Sequence, residues 1–306
     1  YNPSGTIMTF GAAAVAAKLL KLDVEKTTHA LGMAGVMAAG NQAHLTERVM
    51  TKDYNSGFSS KSGIEAALLA SEGFTASTDE LENPCGFLHL YGEKTFPEEL
   101  TRGFKEIWHI TEASQKLYPA CRCMHSSVEV LLGLRDKIDP LQITSINTKI
   151  FATGAYIVDD SLPWTHGIMG ARFSAQYNMA VALFHGMDGM WDQYNAKKAL
   201  AYMDVPELRE LVGKINIEYV KEWDGDTKKY EWCDVDILMK DGTKFNQRLE
   251  YAKGSPPDPI TWELQEKRFC MLLEQVGWKQ DRMKSIISAV ANIDNLKDIE
   301  ELMQYL

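Results

Sequence analysis

The sequence predicts an α+β protein: a mainly helical domain, discontinuous along the chain, with an inserted α+β lid. Three observations lead there. Apolar residues recur at helical spacing over residues 5–72, β-branched runs with one strong hairpin signal occupy the middle, and helical spacing returns after residue 258.

The first region is dense in Ala and Gly, which lets helices approach closely. Leu19, Leu20 and Leu22 close a first helix, and Asp23 is placed to cap a second whose apolar stripe is Leu31, Met33, Val36 and Met37. A third helix follows a loop at 51–60, opened by Ser62 with Glu65 as a capping box and ended near Gly73. Residues 75–97, rich in Gly, Asp, Glu and Pro, read as loop. Pro119 blocks helix before it, and Ser126 with Glu129 then opens a helix over 126–136. A β-rich run at 143–158 follows, then a helix at 174–184 that stops at Gly186. Strands are expected at 215–220, 231–239 and 244–251, the last two joined by Asp241-Gly242 in a hairpin. From 258 the chain is helical again, with Leu264, Phe269, Leu272, Leu273 and Val276 on one face, then helices at 278–293 and 296–306. The domains are therefore 1–112 (helical, first part), 113–257 (α+β lid) and 258–306 (helical, packing back on the first part).

A formal charge of −10 with no basic run excludes nucleic acid and an anionic membrane surface as partners, so any anion site must be a local cationic island. No apolar run reaches the ~20 residues needed to span a bilayer; the Ala-rich stretch at 11–20 is interrupted by Lys18. Cys85, Cys121, Cys123, Cys233 and Cys270 form no even framework and no signal peptide is recognised, which points to reduced thiols in the cytoplasm. The chain opens at Tyr1 in what reads as the middle of a fold.

The most informative stretch is 116–125, KLYPACRCMH, which gathers Lys116, Arg122 and His125 just before a helix start. Arg122 can fork onto a carboxylate while His125 or Lys116 moves a proton. Solvated loop residues are the plain alternative. Lys52, in Thr51-Lys52-Asp53-Tyr54-Asn55-Ser56-Gly57, can contact a carboxylate or, when desolvated, act as acid or base; most lysines are simply at the surface. Tyr177 near a helix start can deliver a proton, although a Tyr on an apolar helix more often packs. His44 and His166 stay undecided, and His29, His89, His109 and His185 read as packing or surface groups. Cys121-x-Cys123-x-His125 lacks a second ligand pair at zinc spacing, and no Walker, Rossmann or Gly-x-Ser-x-Gly pattern is present, so neither metal nor cofactor is expected.

Taken in order, these segments resemble the MmgE/PrpD family. The resemblance rests on Pro3-Ser4-Gly5-Thr6, Gly11-Ala12-Ala13-Ala14, Ala30-Leu31-Gly32-Met33-Ala34-Gly35, and Thr51-Lys52 followed by Gly63-Ile64-Glu65-Ala66-Ala67-Leu68-Leu69-Ala70. It continues through Gly73-Phe74-Thr75, the 116–125 loop, Phe173-Ser174-Ala175-Gln176-Tyr177, Asp241-Gly242 and Lys267-Arg268-Phe269. The family holds 2-methylcitrate dehydratases, cis-aconitate decarboxylases and an iminodisuccinate epimerase. The resemblance therefore implies a metal- and cofactor-independent lyase or isomerase that moves a proton at carbon next to a carboxylate of a small di- or tricarboxylate. It also implies a large helical domain, an α+β lid, a cleft between them and a homodimer.

By the same resemblance Lys52, Tyr177 and His125 are the catalytic candidates, and Lys116, Arg122 and Asn2 the substrate-binding ones. The chain departs from the family pattern at three of its imidazoles. Asn2 stands where members commonly carry His, and Cys121 and Asn55 stand where the decarboxylases do. That favours an epimerase or another dehydratase over a decarboxylase. Family chains also carry a further helical stretch upstream, so the N-terminal helical part is expected to be lacking here or supplied by a separate chain. The alternative function is a catalytically incomplete subunit or a non-enzymatic carboxylate-binding relative that needs such a partner.

Overall fold

The computed structural model describes residues 1–305 and divides into two compact units, Tyr1–Trp108 and the chain from His109 onward. The first unit is built from α1 (Ile7–Leu19), α2 (Val24–Met37), α3 (Ala43–Glu47), α4 (Thr51–Ser71) and α5 (Phe87–Tyr91). α2 starts as expected, because the Asp23 carboxylate accepts the Lys26 backbone N–H at 2.8 Å and satisfies one orphan donor of the first turn. α4 differs from expectation. It runs unbroken from Thr51, so residues 51–60 are helix, and Ser62 and Glu65 lie in its interior instead of forming a cap.

The core of this unit is a stack of small side chains: Ala13, Ala16 and Ala17 of α1, Ala30 and Ala34 of α2, and Ala66, Ala67 and Ala70 of α4, with Met33. Such a core gains little from each side chain, so its stability rests on how closely the backbones approach. Gly63 sets that approach for α1 and α4. A Cβ there would stand 2.5 Å from the Thr9 carbonyl oxygen and 2.6 Å from the Ala13 nitrogen, both backbone atoms that cannot step aside.

The second unit holds α6 (His125–Leu134), β1 (Ile143–Phe151), α7 (Ala152–Val158), α8 (Gly167–Phe173), α9 (Ala175–Asp192), α10 (Ala196–Met203) and α11 (Pro206–Val212). These are followed by β2 (Ile215–Val220), β3 (Cys233–Met239), β4 (Lys244–Leu249), α12 (Trp262–Glu274), α13 (Gln280–Ala291) and α14 (Glu300–Met303). The strands form one sheet in the order β2-β1-β3-β4, parallel between β1 and β2 and antiparallel elsewhere. Alternation decides its faces. Ile146, Thr148 and Ile150 of β1, Ile215 and Ile217 of β2, and Cys233, Val235 and Ile237 of β3 are buried, while Asn147, Asn216 and Asp236 are exposed. The buried set shares one core with Val128 and Leu131 of α6 and Met179 and Leu183 of α9. A polar pair inside it, Ser127 Oγ and Thr148 Oγ1 at 2.9 Å, ties α6 to β1.

Several expectations change in detail. The β-rich run at 143–158 becomes helix from Ala152. The helix expected to stop at Gly186 continues to Asp192 after a kink at Gly186, whose φ of 63° suits glycine; the Leu183 carbonyl exposed by the kink accepts Arg135 Nε–H at 3.2 Å. The β3–β4 hairpin turns on Asp241 and Gly242 as expected, with Gly242 at φ 88°. Ile260, Leu264 and Met271, from the segment expected to pack back on the first helices, lie against the core of the second unit. The last expected helix is seen as α14, and Leu306 lies outside the described residues. Among the described residues no helix is long and apolar enough to cross a membrane.

Gly63→Ala should lower stability to urea by about 1–3 kcal/mol, the scale of overpacking, even though Ala gains ~1 kcal/mol over Gly in a helix interior. Gly57→Ala, where an added Cβ meets open space on the same helix, is the matched control and should be neutral or stabilising. Unfolding followed by circular dichroism reads both, and equal effects would remove Gly63 as the contact that sets the helix spacing.

Candidate functional site

In the first unit an open cavity of about 460 Å³ is walled by Gly40, Asn41, His44, Thr51, Tyr54 and Asn55, among others. Its floor is stitched by the opening turn of the chain. Asn2 N–H donates to the Gly40 carbonyl at 3.1 Å, and the Asn2 carbonyl accepts the N–H groups of Gly5 and Thr6. Gly5 permits the contact: a Cβ there would lie 2.5 Å from the Ala39 carbonyl oxygen and 3.0 Å from Asn55 Oδ1. His44, on α3, is 5% exposed, and its Nε2 lies 3.2 Å from Asn2 Nδ2. Burial, and then the Lys52 ammonium, hold the His44 pKa below its ordinary value, so the ring is neutral at pH 7. Lys52, in the first turn of α4, is half-buried. The cavity wall therefore carries a neutral imidazole, the Asn55 amide and the Glu47 carboxylate, with the Lys52 ammonium near enough to His44 to act on its charge.

Asn2, expected to bind substrate, instead spends its side chain inside the protein. Its Oδ1 accepts Ser4 N–H at 2.9 Å and its Nδ2 meets His44.

In the second unit Arg122 is held by a dense set of polar contacts. Nε and Nη2 grip both oxygens of Glu231 at 2.9 and 3.1 Å, Nη1 donates to the Gln115 and Lys253 carbonyls, and Nη2 also reaches the Ala252 carbonyl and Ser255 Oγ. The pair is largely buried, at 17% and 16% side-chain exposure. Burial alone would raise the Glu231 pKa; the hydrogen bonds from Arg122 and Ser255 outweigh it and hold the carboxyl below the usual range. Arg122, read from sequence as a fork for substrate carboxylate, thus has its five N–H donors engaged by the protein itself.

His125 is fully buried and packs against Tyr118 with ring centroids 4.3 Å apart and the planes tilted by 32°. Its Nε2–H points at the Ala120 carbonyl at 3.3 Å and its Nδ1 faces Arg122 Nη1 at 3.4 Å. Burial first, then the Arg122 charge, push its pKa down to about 3. Such a ring holds the loop and does not exchange protons near neutrality. Tyr177 also differs from expectation, because it sits in the core with its hydroxyl donating to the Ala199 carbonyl at 2.8 Å, and burial raises its pKa far above the ordinary phenol value. Lys116 is exposed, and its charge reaches both Cys123 and His125. A hydrogen bond with Cys121, together with burial, keeps the Cys123 thiol protonated. Among the described residues no group of three or more His, Cys, Asp and Glu side chains is placed to hold a metal. His166, undecided from sequence, faces Asp160 Oδ2 through Nδ1 at 3.2 Å.

The expected cap at Ser126 is absent. α6 follows a 3-10 turn over Arg122–Met124, Ser126 Oγ donates to the Glu231 carbonyl, and Glu129 accepts Lys253 N–H and the Tyr118 hydroxyl. Lys52, Asn2 and His44, undecided from sequence, thus belong to the first unit, and Lys116, Arg122 and His125 to one loop of the second. Glu231 and Ser255 were not legible from sequence: they lie 109 and 133 residues from Arg122, and no local pattern links them.

Comparison with known proteins gives matches over both units. A model of the MmgE/PrpD N-terminal domain matches residues 1–99, and one of the MmgE/PrpD C-terminal domain matches residues 118–293. The expectation that the N-terminal helical part is lacking is corrected by the first of these matches. Cis-aconitate decarboxylase from Homo sapiens is 25% identical over 312 residues, covering 100% of this chain and 63% of the relative. Cis-aconitate decarboxylase from Aspergillus terreus is 26% identical over 324 residues, covering 99% of this chain and 62% of the relative. The chain thus spans 62–63% of the length of these curated relatives.

Two outcomes follow from the geometry. Arg122→Ala should cost about 3–5 kcal/mol, the scale for stranding a buried charge, because Glu231 keeps its carboxylate without a partner; a variant that melts like wild type would show the clamp to be dispensable. Stability should also fall on acidification. His125 has a folded pKa near 3 against an unfolded value of about 6.5, so the unfolded chain binds the extra proton and stability drops by ~1.4 kcal/mol per pH unit below pH 6.5. Urea midpoints at pH 7, 6 and 5 for wild type and His125→Gln read this, the variant losing less over that range; Glu231 adds a further loss only as pH falls below its unfolded value.

Proposed function

The chain belongs to the MmgE/PrpD family, and from that premise we propose that it is a lyase-type enzyme acting on a small di- or tricarboxylate. One observation carries the reading: in a chain of charge −10 the first-unit cavity is walled by neutral His44 and Asn55 together with one carboxylate, Glu47, and the Lys52 ammonium acts on His44 from close by. A buried or half-buried cation there attracts a carboxylate despite the bulk charge. The curated relatives bear the name cis-aconitate decarboxylase, and decarboxylation, dehydration and epimerisation share one demand. Negative charge develops on carbon next to a carboxylate, spreads onto its oxygens, and is removed or supplied with a proton. Lys52 meets the first half of that demand by holding the carboxylate while charge grows. No metal enters this reading.

A second reading has a specific observation behind it. Tyr177 and His125, the acid–base groups expected from sequence, are engaged in the core, which is what a relative that binds carboxylates without turning them over would display.

The two separate by isotope. An enzyme of this class should exchange the proton next to a substrate carboxylate with deuterium from solvent across a panel of citrate- and aspartate-like acids, and Lys52→Ala should weaken binding of the active acid by about 1–3 kcal/mol, the scale of a charge-assisted hydrogen bond, with little change in melting temperature. Binding without exchange in wild type would favour the second reading, and neither binding nor exchange would remove the carboxylate reading altogether. Tyr177→Phe should leave exchange within a few-fold of wild type while lowering stability by ~1 kcal/mol, the net value of one buried hydrogen bond.

A further inference from the structure

His44 and Asn2 are fixed to each other in a way that determines which nitrogen of the imidazole carries its proton. Ser4 N–H, a backbone donor, points at Asn2 Oδ1 at 2.9 Å. That end of the amide is therefore the oxygen, and the end facing His44 is the NH2 group, which only donates. It lies 3.2 Å from His44 Nε2, so Nε2 must offer its lone pair and the ring proton sits on Nδ1. A protonated ring would set N–H against N–H across that contact. Turning the Asn2 amide over would instead strand Ser4 N–H against an NH2 group.

With Nε2 occupied, Nδ1–H is what His44 can offer to anything that enters the cavity. Nδ1 makes no hydrogen bond to the described residues, and His44 is one of the residues lining the cavity. A neutral N–H in that position is a directed donor. It does not act as a base, because its lone pair on Nε2 is taken up by the Asn2 amide, and it keeps its form while the nearby Lys52 supplies the charge.

We propose that His44, locked as the Nδ1–H tautomer by Asn2, donates a hydrogen bond to a carboxylate oxygen of the substrate in the first-unit cavity, and that Asn2 is its positioning residue. The assignment rests on the carboxylate reading above. It gives Lys52 and His44 complementary work: the ammonium holds the anion, and the imidazole fixes its orientation and donates more strongly as charge builds on that oxygen. It also accounts for a buried imidazole and a buried amide that are joined across 42 residues at the wall of the first-unit cavity.

The test uses the whole chain labelled with ¹⁵N-histidine, the His44 signals being assigned by their loss in His44→Phe. At pH 7 wild type should show His44 protonated at Nδ1 and unprotonated at Nε2, and citrate, the probe ligand, should shift the Nδ1 resonance. His44→Phe should weaken citrate by about tenfold or more, as loss of a hydrogen bond to a charged group does. Asn2→Ala should release the ring into a mixture of tautomers and weaken citrate in proportion, an effect on tautomer that a purely packing role for Asn2 would not produce. An Nε2–H tautomer in wild type, or citrate bound with the Nδ1 resonance unmoved, overturns the assignment while leaving the carboxylate reading intact. Citrate binding with the expected shift but no deuterium exchange upholds the assignment and removes the lyase. A wild type that binds no acid of the panel removes both.

Discussion

One guanidinium holds the second unit's polar interior together. Arg122 reaches Glu231, Ala252, Lys253 and Ser255 at sequence separations of 109 to 133 residues, and so closes the 116–125 loop, the start of β3 and the turn before α12 around a single planar charge. A lysine cannot substitute for it, because its ammonium lacks the fork that grips both Glu231 oxygens while reaching backbone carbonyls on other edges. The neighbours are arranged around that charge. His125 is kept neutral beside it, and Tyr118 packs against His125 and hydrogen-bonds Glu129. Ser126 is drawn away from its capping position toward the Glu231 backbone. A charge this far from water must be matched, and the loop's composition follows from the matching.

The first unit is held by the opposite means. Its alanine core buries little area per residue, and close backbone approach at Gly63 and Gly5 replaces large side chains. The same closeness brings Asn2 against Gly40 and His44. A helical packing constraint and a candidate ligand-binding imidazole thus depend on the same short opening turn.

The two polar clusters differ in what they leave for a ligand. Around Arg122 the donors are engaged by the protein, and the cluster acts as a structural joint. At the first-unit cavity His44, Asn55 and Glu47 border open volume, and the pKa of the His44 ring is held down by burial and by the Lys52 charge.

The α+β class, the Asp23 cap, the strand segments and the Asp241-Gly242 hairpin were legible in the sequence, because each depends on residues within a few positions of one another. So was the family, from short motifs in order. Tertiary structure alone decided what the polar residues do. Arg122 and His125 read as a binding loop until Glu231 and Ser255 arrive from more than a hundred residues away, and Tyr177 reads as an acid until its hydroxyl is found donating to the Ala199 carbonyl. His44 stayed undecided from the sequence, since its tautomer depends on an amide 42 residues distant. Local sequence sets backbone preference through short-range sterics and periodicity, whereas the charge state and availability of a side chain depend on burial and partners that only the folded chain brings together.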